Sequence, residues 1–219
     1  MRSARQTVLR AAAITVAAVF LTACFTGRRA HFAESADAAA TAVSDPAIQA
    51  VLAKLSTANT EQFTASYNVI TKFGNLTTTA TVAQSAPGTT SVTIGHVRFL
   101  TQQAGSQTCE LTTGACVTGI EDQQISDTQL THDFYGSSAS LRLRQDVNTM
   151  VSAAVASSKE IAGQNATCAE VFFAAGSKTY CVLDNGLVAQ QDTPDLRIDL
   201  TSFTAGADTA LFTSTTIAG

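Results

Sequence analysis

The feature of the sequence that most constrains the fold is an alternation of side chains that begins near residue 62. Apolar or bulky side chains occupy every second position: Phe63, Ala65, Tyr67, Val69, Thr71 and Phe73. A period of two is typical of a β-strand that buries one face. Gly74 and Asn75 follow as a turn signal, so the alternation predicts a first strand over 63–73 that turns back into a second strand.

Turn signals recur at hairpin spacing along most of the remaining chain. Further strands are predicted near 76–82, 89–94, 96–102 and Cys109, and again within 158–204. Asp184, Asn185 and Gly186 form the strongest hairpin signal, because their types tolerate positive φ. Helical patterns at 121–131 and 138–155 separate the two groups of strands. This order predicts an α+β fold with an antiparallel sheet and helices on one face.

A helix is also predicted before the first strand. Asp45 and Pro46 are suited to the cap and the first position of a helix. The apolar residues that follow have the spacing of an amphipathic helix, at Ile48, Val51, Leu52 and Leu55. A second helical stripe lies within 138–155, at Leu143, Val147, Met150, Val151 and Ala154. The two stripes are expected to cover the sheet.

The first 24 residues are typical of an export and lipidation signal. Three arginines precede an apolar run over 11–20, which is shorter than the about 20 residues that span a bilayer as a helix. Leu21-Thr22-Ala23-Cys24 resembles a bacterial lipobox, in which the cysteine receives the lipid. We therefore expect a signal peptide at 1–23, acylation of Cys24, a flexible tether over 24–45 and one domain over 46–219, on the extracytoplasmic face of the cell membrane. An ordinary signal peptide with an incidental cysteine is the alternative.

The charge balance argues against nucleic acid as a partner. Lys and Arg number 13 and Asp and Glu 17, a formal net charge of −4, so little is available to neutralise a row of phosphates. Removal of residues 1–23 would take three arginines and leave 10 bases against 17 acids, a charge of −7. Anionic headgroups would not attract such a body, so we expect the lipid anchor to hold it at the membrane.

Four cysteines remain in the predicted domain, and four cysteines allow three pairings. Disulfides are favoured over free thiols in an exported protein. Cys109 and Cys116 flank one predicted turn, and Cys168 and Cys181 flank another, so each pair is expected to bridge facing strands. Zinc binding is the alternative, but no C-x2-C pair or histidine cluster accompanies these cysteines. No metal and no cofactor is expected.

The sequence contains no G-x-S-x-G, H-E-x-x-H, G-x-G-x-x-G or P-loop motif, so we expect a protein that is not an enzyme. His132 and Asp133 could serve base catalysis with a serine at 137, 138 or 140, although a polar helix cap is the favoured interpretation. His96 is expected to be structural. Three acids near Pro194 lack the spacing of a calcium loop and are expected to be solvated: Asp192, Asp195 and Asp199.

Further features accompany the lipobox-like Cys24. They are an Ala-rich tether, a leading helix, a first strand like that at 63–69, a long meander, a central helical insert and a closing hairpin over 180–187. In this combination the chain resembles actinobacterial lipoproteins of the LolA/LprG-like superfamily, over approximately residues 46–212. The resemblance implies a strongly curved half-barrel whose concave face is covered by helices and encloses an apolar cavity for acyl chains. Members of this superfamily carry lipoproteins or glycolipids between membranes, or sense envelope lipids and misfolded proteins.

The residues expected to line such a cavity lie on strand faces and on a helix stripe: Phe63, Tyr67, Val69, Phe73, Val92, Ile94, Val147, Val151 and Ile198. Many inward candidates are small and the chain has no Trp, which leaves either room for a ligand or a collapsed, filled core. We expect a lipid-anchored protein that binds a lipid or lipidated molecule without catalysis. The alternative is an envelope sensory or protein-interaction module that has no lipid ligand.

Overall fold

The computed structural model describes residues 44–57 and 60–213. The predicted signal peptide, Cys24 and nearly all of the predicted tether lie outside these residues, so lipidation of Cys24 stays a prediction. Among the described residues, no helix combines the length and the apolar character needed to cross a membrane.

The described residues form eleven strands and two α-helices. In chain order these are α1 (Pro46–Leu55), β1 (Phe63–Thr71), β2 (Leu76–Ala86), β3 (Thr89–Ile94), β4 (Val97–Gln102), β5 (Gly105–Glu110), β6 (Ala115–Thr118), α2 (Ser137–Val147), β7 (Val155–Ile161), β8 (Gln164–Phe173), β9 (Gly176–Leu183), β10 (Val188–Asp192) and β11 (Leu196–Ala205). Short 3-10 helices occur at Phe73–Asn75, Asp122–Thr128 and Thr209–Phe212.

All eleven strands join one antiparallel sheet, in the order β6-β5-β4-β3-β2-β1-β11-β10-β9-β8-β7. Two meanders, β1–β6 and β7–β11, meet where β1 pairs with β11. The sheet is open and curled, and with its helices it makes the α+β half-barrel that the sequence predicts. Strands β6 and β7 are its two edges.

The strand register places buried side chains of both meanders on one face. Ala169 on β8 lies opposite Tyr180 on β9, and Tyr180 lies opposite Gln191 on β10. Gln191 lies opposite Ile198 on β11, which in turn lies opposite Val69 on β1. Directly opposed residues of an antiparallel pair point to the same side of the sheet. We call this side the inner face.

Both helices pack on the inner face of β8, β9 and β10. The Asp45 carboxylate caps α1, because it accepts hydrogen bonds from the backbone N–H groups of Ala47 and Ile48 at 2.9 and 3.2 Å. The predicted apolar stripe of α1 is buried. The two helices share a buried cluster with five side chains of the sheet: Ala169, Val171, Tyr180, Val182 and Val188.

The first strand is shorter than predicted and ends at Thr71. Residues Phe73–Asn75 form a 3-10 turn in which Gly74 and Asn75 have φ of 80° and 52°. These left-handed conformations reverse the chain. The reversal turns Phe73 out of the strand, and its side chain is 86% exposed.

The second helix is also shorter than predicted and ends at Val147. The backbone N–H groups of Asn148 and Thr149 donate to Gln145 and Asp146 in a terminal turn. The chain then leaves the helix before it enters β7. Val151, predicted to lie on the helix stripe, is therefore 63% exposed.

The two disulfides expected from the spacing are present, and each joins facing strands. Cys109 and Cys116 are partners in the β5–β6 ladder, and Cys168 and Cys181 are partners in the β8–β9 ladder. The Cα atoms of each pair are 4.0 Å apart. By the loop-entropy model each bridge adds about 2–3 kcal/mol to the free energy of unfolding.

Candidate ligand-binding site

The inner face of β1–β4 is covered by an irregular segment and not by the two α-helices. This cover segment, residues 120–136, lies between β6 and α2 and contains the 3-10 helix at Asp122–Thr128. Its apolar side chains Ile125, Leu130 and Phe134 are buried in one cluster with the inner-face residues of the strands. The sequence predicts a short helix at 121–131, but the contact of this segment with the sheet is not evident from its pattern.

Hydrogen bonds join the cover segment to its surroundings along its length, from Glu121, whose N–H donates to the Thr108 hydroxyl at 3.0 Å, to Gly136, whose carbonyl accepts from the Ser140 N–H at 3.1 Å. Thr71 at the end of β1 donates its hydroxyl to the carbonyl of Thr128 at 3.1 Å. The Val188 N–H donates to the carbonyl of Tyr135 at 2.9 Å, and Arg142 of α2 donates to the carbonyl of Gln129 at 2.9 Å. These hydrogen bonds and the apolar contacts together hold this segment in place.

His132 and Asp133 stabilise the cover segment through separate partners. The Nδ1 atom of His132 lies 3.0 Å from Asp122, which also accepts the backbone N–H of His132 at 2.7 Å. Asp133 accepts hydrogen bonds from the hydroxyls of Thr131 and Ser137. Burial favours a higher pKa for Asp133, but these hydrogen bonds and the nearby His132 outweigh it and lower the pKa. Because Ser137 donates to the carboxylate and not to His132, these residues do not form the relay of a catalytic triad.

Six of the nine predicted lining residues lie together in the cluster beneath the cover segment: Phe63, Tyr67, Val69, Val92, Ile94 and Ile198. Val147 is partly buried in the helix cluster. Phe73 and Val151 are exposed and do not face this region, because β1 and α2 end before them. The strand alternation therefore identifies the inner face better than the helix pattern does.

Aromatic side chains join the cover segment to the sheet. The ring of Phe134 stands edge-on to the ring of Tyr67, with centroids 5.1 Å apart and planes at 82°. Tyr135 stands edge-on to Phe134 at 5.8 Å. Such edge-to-face pairs contribute about 0.5–1.5 kcal/mol each beyond the area they bury. Phe134 thus occupies the space directly above Tyr67.

Two polar groups on the inner face lack a hydrogen-bond partner among the described residues. They are the hydroxyl of Tyr67 and the side-chain nitrogen of Gln191, and both residues are 1% exposed. Burial raises the pKa of the Tyr67 phenol. Buried polar groups are normally paired, so an unpaired one requires an explanation such as an ordered water or a ligand.

Gln191 is a candidate functional residue that the alternation does not identify. An irregularity between Val188 and Gln190 shifts the register of β10 against β9. The shift places Gln191 opposite both Tyr180 and Ile198, on the inner face. The only sequence feature that points to this residue is a glutamine within a strand that otherwise looks half-buried. Because the bulge shifts the alternation, the sequence does not show which face of the strand Gln191 occupies.

Surface pockets lie beside the cluster under the cover segment, and one of them is lined by Gln129 of that segment and by Leu196. Three of them have volumes of about 270, 170 and 410 Å³. The nine predicted lining residues are absent from their walls. Because Ile125, Leu130 and Phe134 pack against the inner face of β1–β4, a ligand that binds there must displace these side chains.

Two of the three acidic residues near Pro194 are engaged in ion pairs. Asp192 lies 2.6 Å from the Lys72 ammonium, and Asp199 lies 2.6 Å from the Arg197 guanidinium. Across the described ranges, no group of three or more His, Cys, Asp or Glu side chains could hold a metal ion.

The fold, with its covered inner face, is that of the class of α+β half-barrel proteins. Comparisons with known proteins found solved structures that are similar to it. No family model and no curated protein matches the sequence. Among solved structures, the chain is similar to MucB (TM-score 0.47, 13% identity, 73% of this chain and 59% of that chain). The chain is also similar to a chain in the complex structure of Pseudomonas aeruginosa MucA/MucB (TM-score 0.45, 12% identity, 76% of this chain and 60% of that chain). LprF from Mycobacterium bovis is similar with a TM-score of 0.35 and 13% identity, over 74% of this chain and 95% of that chain.

The chain spans between 57% and 60% of the length of the MucB chains it matches. At 12–13% identity these similarities assign no ligand, partner or activity to this chain.

Proposed function

We propose that this chain is an extracytoplasmic, membrane-anchored protein that binds a lipid or a lipidated molecule and has no catalytic role. Acylation of Cys24 anchors it, and the inner face of the half-barrel shields acyl chains beneath the cover segment. The site is apolar with a few polar groups, which is the usual composition of a small-molecule site.

The unpaired groups on the inner face carry this proposal. The Tyr67 hydroxyl and the Gln191 amide nitrogen are both hydrogen-bond donors, and both are buried without an acceptor. Each unpaired donor costs about 1–3 kcal/mol. An ester carbonyl offers an acceptor and brings neither a donor nor a charge. We therefore propose ester-linked acyl chains, and not free fatty acids, as the preferred ligand.

Ligand binding requires the cover segment to move. Acyl chains would replace Ile125, Leu130 and Phe134 on the inner face, and these side chains must then cover the bound acyl chains, because exposing each of them to water costs about 1.5–3 kcal/mol. The hydrogen bonds that Thr71, Val188, Arg142 and Ser137 donate to the cover segment must break and reform in this step. The cover segment acts in this proposal as a displaceable plug.

The experiment uses the full chain purified from membranes, with a fluorescent diacyl phospholipid offered in vesicles. An organic extract of the protein is analysed by mass spectrometry for diacyl lipids that are not covalently attached. Tyr67→Phe is expected to retain lipid about fivefold less well, since one net hydrogen bond contributes about 1 kcal/mol. Tyr180→Phe is the matched control, because Tyr180 lies on the same face but bonds to Asp146.

One result would overturn lipid binding, and a second would overturn the role of the Tyr67 hydroxyl in it. In one, the extract contains no diacyl lipid and the vesicle assay shows no uptake. In the other, Tyr67→Phe and Tyr180→Phe bind lipid equally well, which would assign the unpaired hydroxyl to a buried water. Leu143→Ala, in the helix cluster, controls for a general loss of stability.

The edge strand β7 favours the alternative of a protein-interaction module. It is a terminal strand of the sheet, and Val155 to Glu160 are all exposed. An exposed edge offers unpaired backbone groups to a strand of another protein. In an edge strand, adjacent residues point their N–H groups in opposite directions, so proline at Ser157 or at Ser158 removes an outward donor. A protein partner that binds the wild-type chain but not one of these two proline variants would favour this alternative, provided that the organic extract of the protein contains no lipid.

A further inference from the structure

One end of the sheet collects exposed apolar side chains. We call it the tip end, and it contains the connections between β1 and β2 (72–75), between β8 and β9 (174–175) and between β10 and β11 (193–195). The antiparallel register places these connections at the same end. The Lys72 N–H donates to the carbonyl of Asp195 at 2.8 Å, which joins two of them directly.

Most of the large apolar side chains that are exposed in the described residues belong to this end. Phe73 and Leu76 flank the first connection, and Val155 begins β7 beside the end of β8. Val151 is held there by its backbone N–H, which donates to Phe172 at 2.9 Å. The other two exposed side chains of this kind, Leu141 and Val117, lie on α2 and β6. The two pairs at the tip end lie on either side of the ends of β8 to β11, and apolar side chains exposed at one end of a molecule are suited to contact with a membrane surface.

The N-terminal chain is attached at the same end. The second carboxylate oxygen of Asp45 accepts the backbone N–H of Ala154 at 2.8 Å, so the start of α1 lies beside the start of β7. The other end of α1 lies at the opposite end of the sheet, where Lys54 pairs with Asp184 in the β9–β10 turn. The polypeptide that leads back to Cys24 is therefore joined to the tip end.

We infer that the tip end rests on the phospholipid bilayer, with Phe73 and Val151 in its interfacial layer. The inference rests on the proposed anchor at Cys24. Nineteen residues lie between Cys24 and Ser44, and the stretch from Cys24 to Ser44 spans at most about 70 Å. The tether holds the domain at the bilayer without fixing its orientation, and apolar contact at the tip end supplies the attraction that an acidic body lacks.

This orientation also places the cover segment close to its lipid source. Thr71, which bonds to the cover segment at Thr128, precedes Phe73 by two residues. One attachment of the cover segment therefore lies at the tip end. A lipid that leaves the bilayer meets this edge of the inner face first.

The absence of tryptophan from the chain makes the test direct. Phe73→Trp in the full chain provides a single tryptophan at an exposed position, where the change in volume meets no packing constraint. Gln103→Trp is the matched control, in the exposed β4–β5 connection at the opposite end. Both proteins are reconstituted into vesicles of phosphatidylcholine with a minor fraction of phosphatidylglycerol, with and without brominated acyl chains.

Phe73→Trp is expected to show a blue-shifted emission and several-fold stronger quenching by brominated lipid than Gln103→Trp. Val151→Trp is expected to behave like Phe73→Trp. Emission of both tip variants that is unshifted and unquenched, in vesicles where the N-terminal peptide carries acylated Cys24, overturns the inference and leaves lipid binding intact. A blue shift that depends on protein concentration without vesicles also overturns it, in favour of a second copy of the chain.

The mass of the N-terminal peptide shows whether Cys24 is acylated, and it therefore separates a failure of the membrane orientation from a failure of lipid binding. Unmodified Cys24 would overturn both the anchor and the membrane orientation that rests on it. Extractable lipid measures the inner face and is independent of position 73, so Phe73→Ser is expected to retain the normal amount of bound lipid in solution.

Discussion

Tyr67 and Tyr180 are both buried on the inner face, but they differ in their hydrogen bonds. Tyr180 lies beneath the helices, and its hydroxyl donates to Asp146 at 2.6 Å. Asp146 also accepts from the Lys178 ammonium at 2.6 Å. Tyr67 lies beneath the cover segment, and its hydroxyl has no partner among the described residues.

The difference shows that the buried polar groups named on the helix side are hydrogen-bonded, whereas the Tyr67 hydroxyl on the cover side is not. On the helix side, a cap at Asp45, two apolar stripes and a satisfied polar network agree with one another, which is typical of a region selected for stability. On the cover side, an irregular segment lies over the unpaired hydroxyl of Tyr67, and the second unpaired donor, on Gln191, lies on β10 between the two sides. Departures from complete satisfaction concentrate at functional sites, so the cover side is where ligand binding is expected.

The largest expected effect compares truncations on the two sides. Leu143→Ala removes a fully buried side chain of α2 and is expected to lower the free energy of unfolding by about 3 kcal/mol. Ile125→Ala on the cover segment is expected to cost about 1 kcal/mol, because that segment can detach locally and relieve the cavity. Urea unfolding measures both values. Equal losses would show that the cover segment is part of the cooperative core.

Hydrogen exchange gives the same comparison without a substitution. The backbone amides of the cover segment are expected to exchange through local opening, well before those of β8 and β9. Addition of diacyl lipid is expected to change exchange in residues 120–136 and to leave α1 unchanged. Protection of the cover segment equal to that of β9 would argue against a displaceable plug.

The next largest expected effect is a change in the free energy of unfolding, which has opposite signs for the two tyrosines. Tyr180→Phe leaves Asp146 without one of its donors and is expected to lower the free energy of unfolding by about 2 kcal/mol. Tyr67→Phe removes an unpaired hydroxyl and is expected to raise it by about 1 kcal/mol. Urea unfolding of the lipid-free proteins measures the difference. Destabilisation by Tyr67→Phe would mean that its hydroxyl already has a partner, such as an ordered water.

The sequence predicts most of the regular elements because the local signals in them agree with the tertiary structure. The cap at Asp45 and the spacing of Ile48, Val51 and Leu52 specify α1 without reference to the sheet. The alternation from Phe63 specifies β1, and turn signals place the hairpins and both disulfides. Each of these features depends on residues close together in the chain.

The cover side could not be predicted in the same way, because its structure depends on distant contacts. The segment around Ile125 has no regular period, so only its packing against β1 and Phe134 determines its conformation. The direction of Gln191 depends on a bulge in β10, and the exposure of Phe73 depends on left-handed φ at Gly74 and Asn75. Strand β7 is exposed on both faces, so it lacks the alternation that would reveal it.

The smallest expected effect is in alkaline titration. The three tyrosines of the chain, Tyr67, Tyr135 and Tyr180, all have pKa values raised by burial. Folding therefore favours their neutral forms, and this contribution to stability is present below about pH 10 and is lost as pH rises towards the folded pKa values. Absorbance at 295 nm should stay flat above pH 10 until the protein unfolds.

The two sides are expected to differ in how this titration responds to substitution. Tyr67→Phe removes one phenol that must ionise and no hydrogen bond, so the midpoint of alkaline unfolding is expected to rise. Tyr180→Phe also loses the bond to Asp146, so its midpoint is expected to fall. A phenolate signal near pH 10 in the folded wild-type chain that is lost in Tyr67→Phe would show that the cover segment opens without ligand. The same signal lost in Tyr180→Phe would place the opening on the helix side and reverse the assignment of the two cores.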